Sequence, residues 1–290
     1  MLVESIAPWS VVSTGRSSLL NMRRMRRRRS LLGGSSPYED VQLLGETVRV
    51  RTGTIHAQPD YDDAWALFLL RQAVVFVDIG CNRGRFGLMS VIDAPERRLL
   101  SIDASREALA IATENLVLNG RADQLRFVWG FVSDTQGEIQ FWTTAGGGAA
   151  GSRYSSHART AARTGQHVRV PTVSLDSIIE DTGWIPDLVK IDVEGAETEV
   201  LRGASQLAGQ QTARMLVELH SPQELPMHKN AEMLLEWTRA HTYTAYYLKD
   251  HVELADPAQI AHRGRCHLLL QPSEWPYPEG LNKIAQGSPI

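Results

Sequence analysis

The sequence predicts an α/β fold built around an open, mostly parallel sheet. The first observation is an apolar, β-branched run at 74–77 that stops at Asp78 and is followed by Gly80, Gly84 and Gly87. This pattern is typical of a strand, a tight turn and the start of a helix. The second observation is that further strand-like and helix-like segments alternate along the chain. Strands that alternate with helices favour a parallel sheet.

The composition is that of a globular protein. The chain has 290 residues, of which 43% are apolar and 22% charged, and this length suits one large α/β domain or two small ones. The formal net charge of -3 gives no indication of a polyanionic partner. Two cysteines, Cys81 and Cys266, do not form a disulfide scaffold, so we expect a reducing, cytoplasmic location. No apolar run approaches the ~20 residues of a membrane span.

Residues 1–36 are predicted to form a disordered basic arm. A dense run of arginines at 23–29 brings like charges together, which favours a solvated segment. The alternative is a contact with nucleic acid or another acidic surface. Residues 37–72 are expected to add strands and a helix that pack on the core. Residues 73–271 then form the main domain, and 272–290 form a loose, proline-rich tail.

The glycine-containing loop is expected to bind an adenosine-type ligand, because glycines let the backbone approach closely and a helix start offers free N–H groups. The dinucleotide fingerprint G-x-G-x-x-G is absent, since three residues separate Gly80 from Gly84. The pattern Asp-x-Gly-x-x-x-Gly resembles the first motif of class I S-adenosylmethionine-dependent methyltransferases. That ligand carries cationic groups and no pyrophosphate, so a carboxylate suits it. The candidate cofactor-binding residues here are Asp78, Gly80, Asn82 and Gly84.

A second strand, at 98–103, ends in an acid. Asp103 follows Asp78 by 25 positions, close to the spacing of a ribose-binding carboxylate in a nucleotide-binding α/β unit. We therefore predict that Asp103, with Ala104 beside it, contacts the ribose. The alternative is that Asp103 caps the following helix, a role that Ser105 fills equally well.

The third strand is predicted at 125–132, followed by a turn. In the class I fold, residues just past this strand reach the adenine, so Val132, Ser133 and Asp134 are candidate cofactor contacts. Asp134 as a plain turn residue is the alternative.

A glycine-rich segment at 145–157 is predicted to be a mobile loop or a lid. Its polar side chains, Arg153 and Tyr154 among them, are candidates to contact an acceptor substrate. Mobility without any contact is the alternative. Short strands at 138–143 and 168–173 are expected on either side of this segment.

A second signature follows the fourth predicted strand. The sequence Asp-Val-Glu-Gly-Ala-Glu at 192–197, with Leu-Val-Lys-Ile at 188–191 and Val-Leu-Arg-Gly-Ala at 200–204, resembles the signature of the FkbM-type methyltransferase family. Val-Ser-Leu-Asp at 173–176 fits that family as well. The likeness covers about residues 73–271, in order.

The resemblance implies a fold and an activity. Members of this family are usually class I methyltransferases that methylate hydroxyls on sugars and natural-product scaffolds. Their Rossmann-like fold has a seven-stranded, mostly parallel sheet in the order 3-2-1-4-5-7-6, with helices on both faces. The segments 213–220, 242–248 and 266–270 would supply the last three strands. In methyltransferases of this type, a helix before the first strand often borders the ligand cleft. Tyr61 and Asp62 are therefore further candidate residues of that cleft.

Two positions depart from the family pattern. Cys81 stands where the family often has alanine, which keeps a small residue. Asp103 and Ala104 stand where it often has Glu-Pro, so the acid is one methylene shorter. A ribose contact of Asp103 remains the expectation.

Four polar residues are candidates for catalysis or for contact with the methyl acceptor. Asp192 and Glu194 follow the fourth strand, at the edge where open α/β sheets bind ligands, and Asp192 is also a candidate cofactor contact. An alcohol attacks poorly unless its proton is drawn off, so either carboxylate is a candidate proton acceptor or substrate contact; the alternative is helix capping. Glu218 and His220 lie on one face of the fifth strand and are candidates for the acceptor side. His220 is a candidate general base, with a purely structural histidine as the alternative.

The function that these observations favour is S-adenosylmethionine-dependent O-methylation of a small molecule or a glycan. One alternative is a nucleic-acid methyltransferase that uses the arginine-rich arm, and another is a domain that binds the cofactor without turnover. Amino-methylating enzymes usually carry an Asn/Asp-Pro-Pro-aromatic turn after the fourth strand, which Asp-Val-Glu-Gly at 192–195 does not match. Nucleic acid is therefore not the expected partner. No metal is predicted, because the spacing of the four polar residues does not demand one, although they could meet in space.

Overall fold

The computed structural model describes residues 36–119, 122–144 and 151–290, and residues 38–290 form one compact unit. Residues 1–35 of the predicted basic arm lie outside the described residues, as do residues 145–150 of the glycine-rich segment. Every helix in the described part of the chain is too short or too polar to cross a bilayer.

Thirteen strands and eight α-helices are found in the described residues. The strands are β1 (Tyr38–Leu43), β2 (Glu46–Arg51), β3 (Val75–Ile79), β4 (Arg98–Asp103), β5 (Leu125–Trp129), β6 (Phe131–Val132), β7 (Gly137–Trp142), β8 (His167–Val173), β9 (Leu188–Ile191), β10 (Arg214–His220), β11 (Tyr243–Tyr247), β12 (Val252–Glu253) and β13 (Arg265–Pro272). The helices are α1 (Asp63–Leu70), α2 (Arg85–Asp93), α3 (Arg106–Leu118), α4 (Arg159–Arg163), α5 (Leu175–Thr182), α6 (Glu197–Arg202), α7 (Ser205–Gln210) and α8 (Met227–Ala240).

The main sheet has the strand order β12-β11-β13-β10-β9-β3-β4-β5. Without β12, this is the predicted order 3-2-1-4-5-7-6 read from the other end. The strands from β10 to β5 are parallel, and β13 runs antiparallel to both β10 and β11. The predicted class I fold is therefore confirmed. The one difference is the two-residue strand β12, which extends the edge beyond β11.

Helices cover both faces of this sheet, as predicted. Successive residues of a strand point to opposite faces. Val77 and Ile79 of β3 accordingly lie in a core built with α5, α6, α7 and α8, whereas Phe76 lies in a core built with α1, α2 and α3. Burial on both sides explains why residues 75–77 of β3 are continuously apolar rather than alternating.

The segment before the first core strand forms the hairpin of β1 and β2. The outer edge of β2 is not left open, because one asparagine of α3 and the asparagine that caps its C-terminus bind its backbone. The side-chain oxygen of Asn115 accepts from the N–H of Arg51 at 2.8 Å, and that of Asn119 accepts from the N–H of Arg49 at 3.1 Å. These bonds hold the hairpin on the domain and satisfy backbone groups that a strand edge would otherwise expose.

The third predicted strand is divided in the structure. At Gly130 the chain leaves the main sheet, and β6 joins a separate three-stranded sheet in the order β6-β8-β7. The N–H of Gly130 still bonds to the carbonyl of Asp103 at 3.1 Å, while that of Ser133 bonds to Val173 at 2.9 Å. The change of partner strand at this glycine opens a space beside β4, and the candidate cofactor cleft lies there.

The C-terminal tail, expected to be loose, packs against the core instead. Leu281 is fully buried, and the indole N–H of Trp65 donates to the carbonyl of Ile284 at 2.8 Å. The N–H of Gly287 bonds to the carbonyl of Tyr61 at 2.8 Å. The apolar side chains of the tail cover α1, so its proline-rich composition reflects a fixed irregular path rather than disorder.

Candidate active site

A cleft opens at the carboxyl ends of β3, β4 and β9. The loops that follow these strands, together with β6 and β7, form its walls. Its lining residues are Ile79, Gly80, Asn82, Ile102, Asp103, Ala104, Ser105, Ala108, Gly130, Phe131, Val132, Phe141, Gly151, Asp192, Val193 and Glu194. This is the edge at which open α/β sheets bind ligands. We call it the first cleft.

The floor of the first cleft is the loop after β3. Gly80 has a φ of +81°, and Gly84, the N-cap of α2, has a φ of +85°. Both lie in the left-handed region that glycine adopts most readily. Asn82 between them also has a positive φ, of 48°. The loop therefore turns sharply enough to keep its backbone against the end of β9.

Asp103 lies at the wall of the first cleft with both carboxylate oxygens engaged by the backbone. One oxygen accepts from the N–H of Asn82 at 2.8 Å and the other from the N–H of Ser105 at 2.7 Å. The side chain of Ser105 itself caps α3 by accepting from Ala108. Burial raises the pKa of Asp103 to about 6, although these N–H groups oppose the rise. Each oxygen keeps a lone pair that a hydroxyl could use.

Asp78 lies beneath the first cleft and does not line it. Its side chain is fully buried, and neither carboxylate oxygen has a hydrogen-bond partner. Burial raises its pKa to about 7, against the opposing charge of Lys190 on the adjacent strand β9. A contact between Asp78 and the cofactor stays a prediction.

A second cavity adjoins the first cleft and shares one residue, Glu194, with it. Its walls come from the segment before α4, from the end of β10 and from the turn before β13. Its lining residues are His157, Glu194, His220, His262, Arg263, Gly264 and Arg265. The lining is almost entirely polar, which suits a hydrophilic ligand.

Glu197 fixes the position of His220 in the wall of the second cavity. Its Nδ1 lies 2.9 Å from Oε1 of Glu197, which also accepts from the N–H of Gly195 at 2.9 Å. Burial alone would lower the pKa of His220, but the bond to Glu197 and the charges of Asp192 and Glu194 raise it to about 10. The imidazole is therefore protonated at neutral pH, so it donates hydrogen bonds there. The role of His220 as general base stays a prediction. A protonated imidazole favours hydrogen-bond donation over proton acceptance.

The other nitrogen of His220 faces three carboxylates. Its Nε2 lies 3.6 Å from Glu194, 3.6 Å from Glu218 and 4.0 Å from Asp192. The structure thus brings together the four polar residues that the sequence singled out. Burial raises the pKa of both Asp192 and Glu194 despite the nearby cations. A carboxylate with a raised pKa accepts a proton more readily than an ordinary one.

The alternative role for Asp192 and Glu194, capping of the following helix, is not seen, because α6 has no side-chain cap hydrogen bond. Ala196 is the N-cap of α6, and the side chain of Glu197 binds the N–H of Gly195. Asp192 instead accepts from Nζ of Lys190 at 3.0 Å. Glu194 has a φ of 57°, an uncommon conformation for a residue other than glycine. Such strain is typical of sites where geometry matters for function.

The remaining candidates are placed as follows. Val132 and Ala104 line the first cleft, whereas Ser133 and Asp134 do not. Asp134 accepts from Nε of Arg202 at 2.9 Å. The guanidinium of Arg153 pairs with Glu199, and the ring of Tyr154 lies beside Gly195. Neither Arg153 nor Tyr154 is among the residues lining the second cavity, so their contact with an acceptor stays a prediction.

Sequence reasoning gave no role to several residues of this site. Lys190, 2% exposed, neutralises the acids around it, and a lysine inside an apolar strand was the available signal. Glu197 is the last acid of the second signature, but no role was predicted for it. His267 faces Glu218 across β10 and β13. No local pattern marks His267, because its partners come from distant segments.

Solved structures with a similar fold share little sequence with this chain. Methyltransferase FkbM from Methylobacillus flagellatus KT is 13% identical, with a TM-score of 0.44 over 69% of this chain and 43% of its own. This chain therefore spans less than half of that protein. A SAM-dependent methyltransferase from Agrobacterium tumefaciens is 12% identical (TM-score 0.45, 83% of this chain and 72% of that one). Precorrin-6y C5,15-methyltransferase from Geobacter metallireducens GS-15 is 13% identical (TM-score 0.43, 79% and 93%).

These distant similarities carry no conclusion about the reaction, and no curated protein matches this chain significantly. The family comparison is more specific. The model of the methyltransferase FkbM domain matches residues 78–245, from Asp78 in β3 to β11. Since this match covers more than half of the chain, the protein belongs to the FkbM family of methyltransferases, whose methyl donor is S-adenosylmethionine.

Proposed function

We propose that this methyltransferase moves a methyl group to a hydroxyl of a small molecule or a sugar. The observation that carries the proposal is the position of Glu194, which lines both the first cleft and the second cavity. A group at this junction can contact a donor on one side and an acceptor on the other. The raised pKa of its carboxyl suits proton acceptance.

The first cleft fits the donor. Gly80 leaves the loop without a side chain where the backbone must approach closely, and Asp103 offers free lone pairs for the ribose hydroxyls. Asn82 and Val132 line the same space and would lie against the nucleoside. When bound, S-adenosylmethionine supplies a methyl group activated by its positive sulfur. The acids near the cleft suit that charge, in the absence of any phosphate to repel.

In the second cavity the protein would position and deprotonate the acceptor. Glu194 accepts the hydroxyl proton as the new carbon–oxygen bond forms, because a neutral alcohol is a poor nucleophile. His220, charged and held by Glu197, donates a hydrogen bond that orients either the carboxylate or the acceptor. Alignment of the acceptor oxygen with the methyl group supplies the rest of the rate enhancement.

The test is methyl transfer from an isotope-labelled donor into a metabolite pool of the source organism, read by mass spectrometry. The expected result is a labelled O-methyl product. Glu194→Gln should lower kcat by about 10²–10⁴, since the amide cannot accept the proton. Glu232→Gln, an exposed residue on α8, is the matched control and should keep full activity.

Label on nitrogen or carbon only would contradict the proposal, as would full activity of Glu194→Gln. No observation on the described residues favours the nucleic-acid alternative. Its proposed contact, the arginine-rich segment, lies outside them.

A further inference from the structure

A buried histidine next to the second cavity has no hydrogen bond on one nitrogen. His267 is 4% exposed, and its Nε2 has no hydrogen-bond partner. Two carboxylate oxygens nevertheless face it, Oδ2 of Asp62 and Oε2 of Glu218, each at 3.5 Å from Nε2. A buried polar atom usually has a partner at 2.7–3.2 Å, so this spacing calls for an explanation.

The spacing matches a metal ion better than a hydrogen bond. The ligand atoms of Asp62, Glu218 and His267 all lie within 4.8 Å of one another. Zinc binds nitrogen and carboxylate oxygen at about 2.0–2.2 Å in a tetrahedral arrangement, which separates neighbouring ligand atoms by about 3.4 Å. The two separations of 3.5 Å between Nε2 of His267 and the carboxylate oxygens are therefore close to the edge of such a tetrahedron.

The surrounding contacts leave these oxygens available. Asp62 is the N-cap of α1 but makes no side-chain cap hydrogen bond. Glu218 receives its donors on the other oxygen, Oε1, from the Tyr61 hydroxyl at 2.9 Å and from Arg265 at 3.2 Å. The rings of Tyr61 and Trp65 pack on His267 at centroid distances of 5.3 and 5.7 Å. Packed rings and outer hydrogen bonds of this kind fix the orientation of metal ligands.

The neighbouring group of Asp192, Glu218 and His220 fits a metal less well. Its two nitrogen–oxygen separations, 3.6 and 4.0 Å, are less even than the two of 3.5 Å around His267. The oxygen of Glu218 nearest to His220 is Oε1, which already accepts from the Tyr61 hydroxyl and pairs with Arg265.

We propose that Asp62, Glu218 and His267 bind one Zn²⁺ ion. Three protein ligands leave a fourth position for water or another oxygen ligand. A third cavity, lined by Tyr61, Trp65, Arg263 and His267 among others, lies beside it. The site shares Glu218 with the group around His220, but no step of the proposed methyl transfer uses Glu218.

The test uses the full-length protein after chelator treatment, titrated with ZnCl₂ by calorimetry, with bound metal counted by mass spectrometry. The wild type should bind one equivalent. His267→Gln and Asp62→Asn should each weaken binding at least 100-fold. His167→Gln, an exposed histidine on β8, should bind as the wild type does. Far-UV circular dichroism checks that the variants fold. If His267→Gln does not fold, the Zn²⁺ affinity of Asp62→Asn tests the proposal.

Two results would overturn the proposal. One is a wild-type protein that binds no Zn²⁺ equivalent. The other is binding that survives both substitutions, including the case in which it is lost in Asp192→Asn instead, since the ion would then belong to the neighbouring group.

Discussion

At Gly80 the backbone has a φ of +81°, and a Cβ built there would lie 1.8 Å from the carbonyl oxygen of Asp192. Two separate effects disfavour any other residue here: the left-handed backbone conformation, and the lack of space for a Cβ atom. The loop between β3 and α2 is thus pressed against the start of the loop after β9, and the cofactor cleft depends on that contact.

We expect Gly80→Ala to lower the free energy of unfolding by at least about 3 kcal/mol, because a backbone contact of this length forces the loop to move. Gly45→Ala isolates the conformational effect, since Gly45 has a φ of +78° with nothing near its Cβ position. That control should cost only about 1 kcal/mol. Denaturant unfolding of the two variants measures the difference, and equal losses would contradict the close approach.

Asp78 makes the stability of the free enzyme depend on pH. Its pKa is raised to about 7 by burial, above the ~3.9 of an unfolded chain, so the folded state binds more protons between these values. Stability contributed by the protonated form is full below about pH 4 and is lost as the pH rises through 7. Asp78→Asn should therefore gain stability relative to the wild type by about 2–3 kcal/mol between pH 5 and pH 8.

Denaturant unfolding at pH 5, 6, 7 and 8 without the donor checks this expectation. Asp123→Asn, an exposed residue, is the control and should show no such trend. A difference between Asp78→Asn and wild type that stays constant with pH would mean that Asp78 is ionised throughout.

Individual site residues were predictable where spacing along the chain carries the information. Asp103 and Asn82 were indicated by their distance from Asp78 and lie in the cleft. Lys190 and Glu197 act through partners on other elements, so their roles depend on how strands and helices meet. No pattern within one segment reports that.

Among the elements, the C-terminal tail differs most from expectation. Its proline and polar residues suggested a loose segment, yet Leu281 is fully buried and Ile284 accepts a hydrogen bond from Trp65. The hydrophobic face of α1 needs a cover, and the tail supplies it. Composition alone does not show this, because a few apolar residues are enough.

We expect Leu281→Ala to lower the free energy of unfolding by about 2–5 kcal/mol, as a large-to-small change in a packed core does. Lys283→Ala, two residues away and exposed, should change it by less than about 0.5 kcal/mol. Thermal or denaturant unfolding of both variants is the measurement. A similar small effect for the two would show that the tail is not part of the core.

The division of the third strand at Gly130 is a second difference between elements as predicted and as found. The residues on both sides of this glycine are apolar and β-branched or aromatic, so one continuous strand was the natural prediction. The change of partner from β4 to β8 is decided by tertiary pairing, which propensity does not encode.

For the molecule as a whole, the class I sheet order was predictable from two signatures and the alternation of elements. The second cavity was not, because it joins His157, Glu194, His220 and Arg263 from four distant segments. The small strand β12 also escaped prediction, since two residues carry no periodic signal.

The central claim about the whole molecule is that side-chain carboxylates, rather than a phosphate cradle, hold the methyl donor at the edge of the sheet. Asp103 is the acid best placed to test it, since it lines the first cleft. A carboxylate that binds hydroxyls contributes about 1.5–3 kcal/mol per hydrogen bond, so its loss should weaken binding about 10- to 100-fold.

The measurement is calorimetric titration of the wild type, Asp103→Asn and Asp181→Asn with S-adenosylmethionine and S-adenosylhomocysteine. Asp181 is an exposed acid on α5 and serves as the control. We predict that Asp103→Asn loses about 10- to 100-fold in affinity for both ligands while Asp181→Asn keeps wild-type affinity. Unchanged affinity in a folded Asp103→Asn protein would contradict the account.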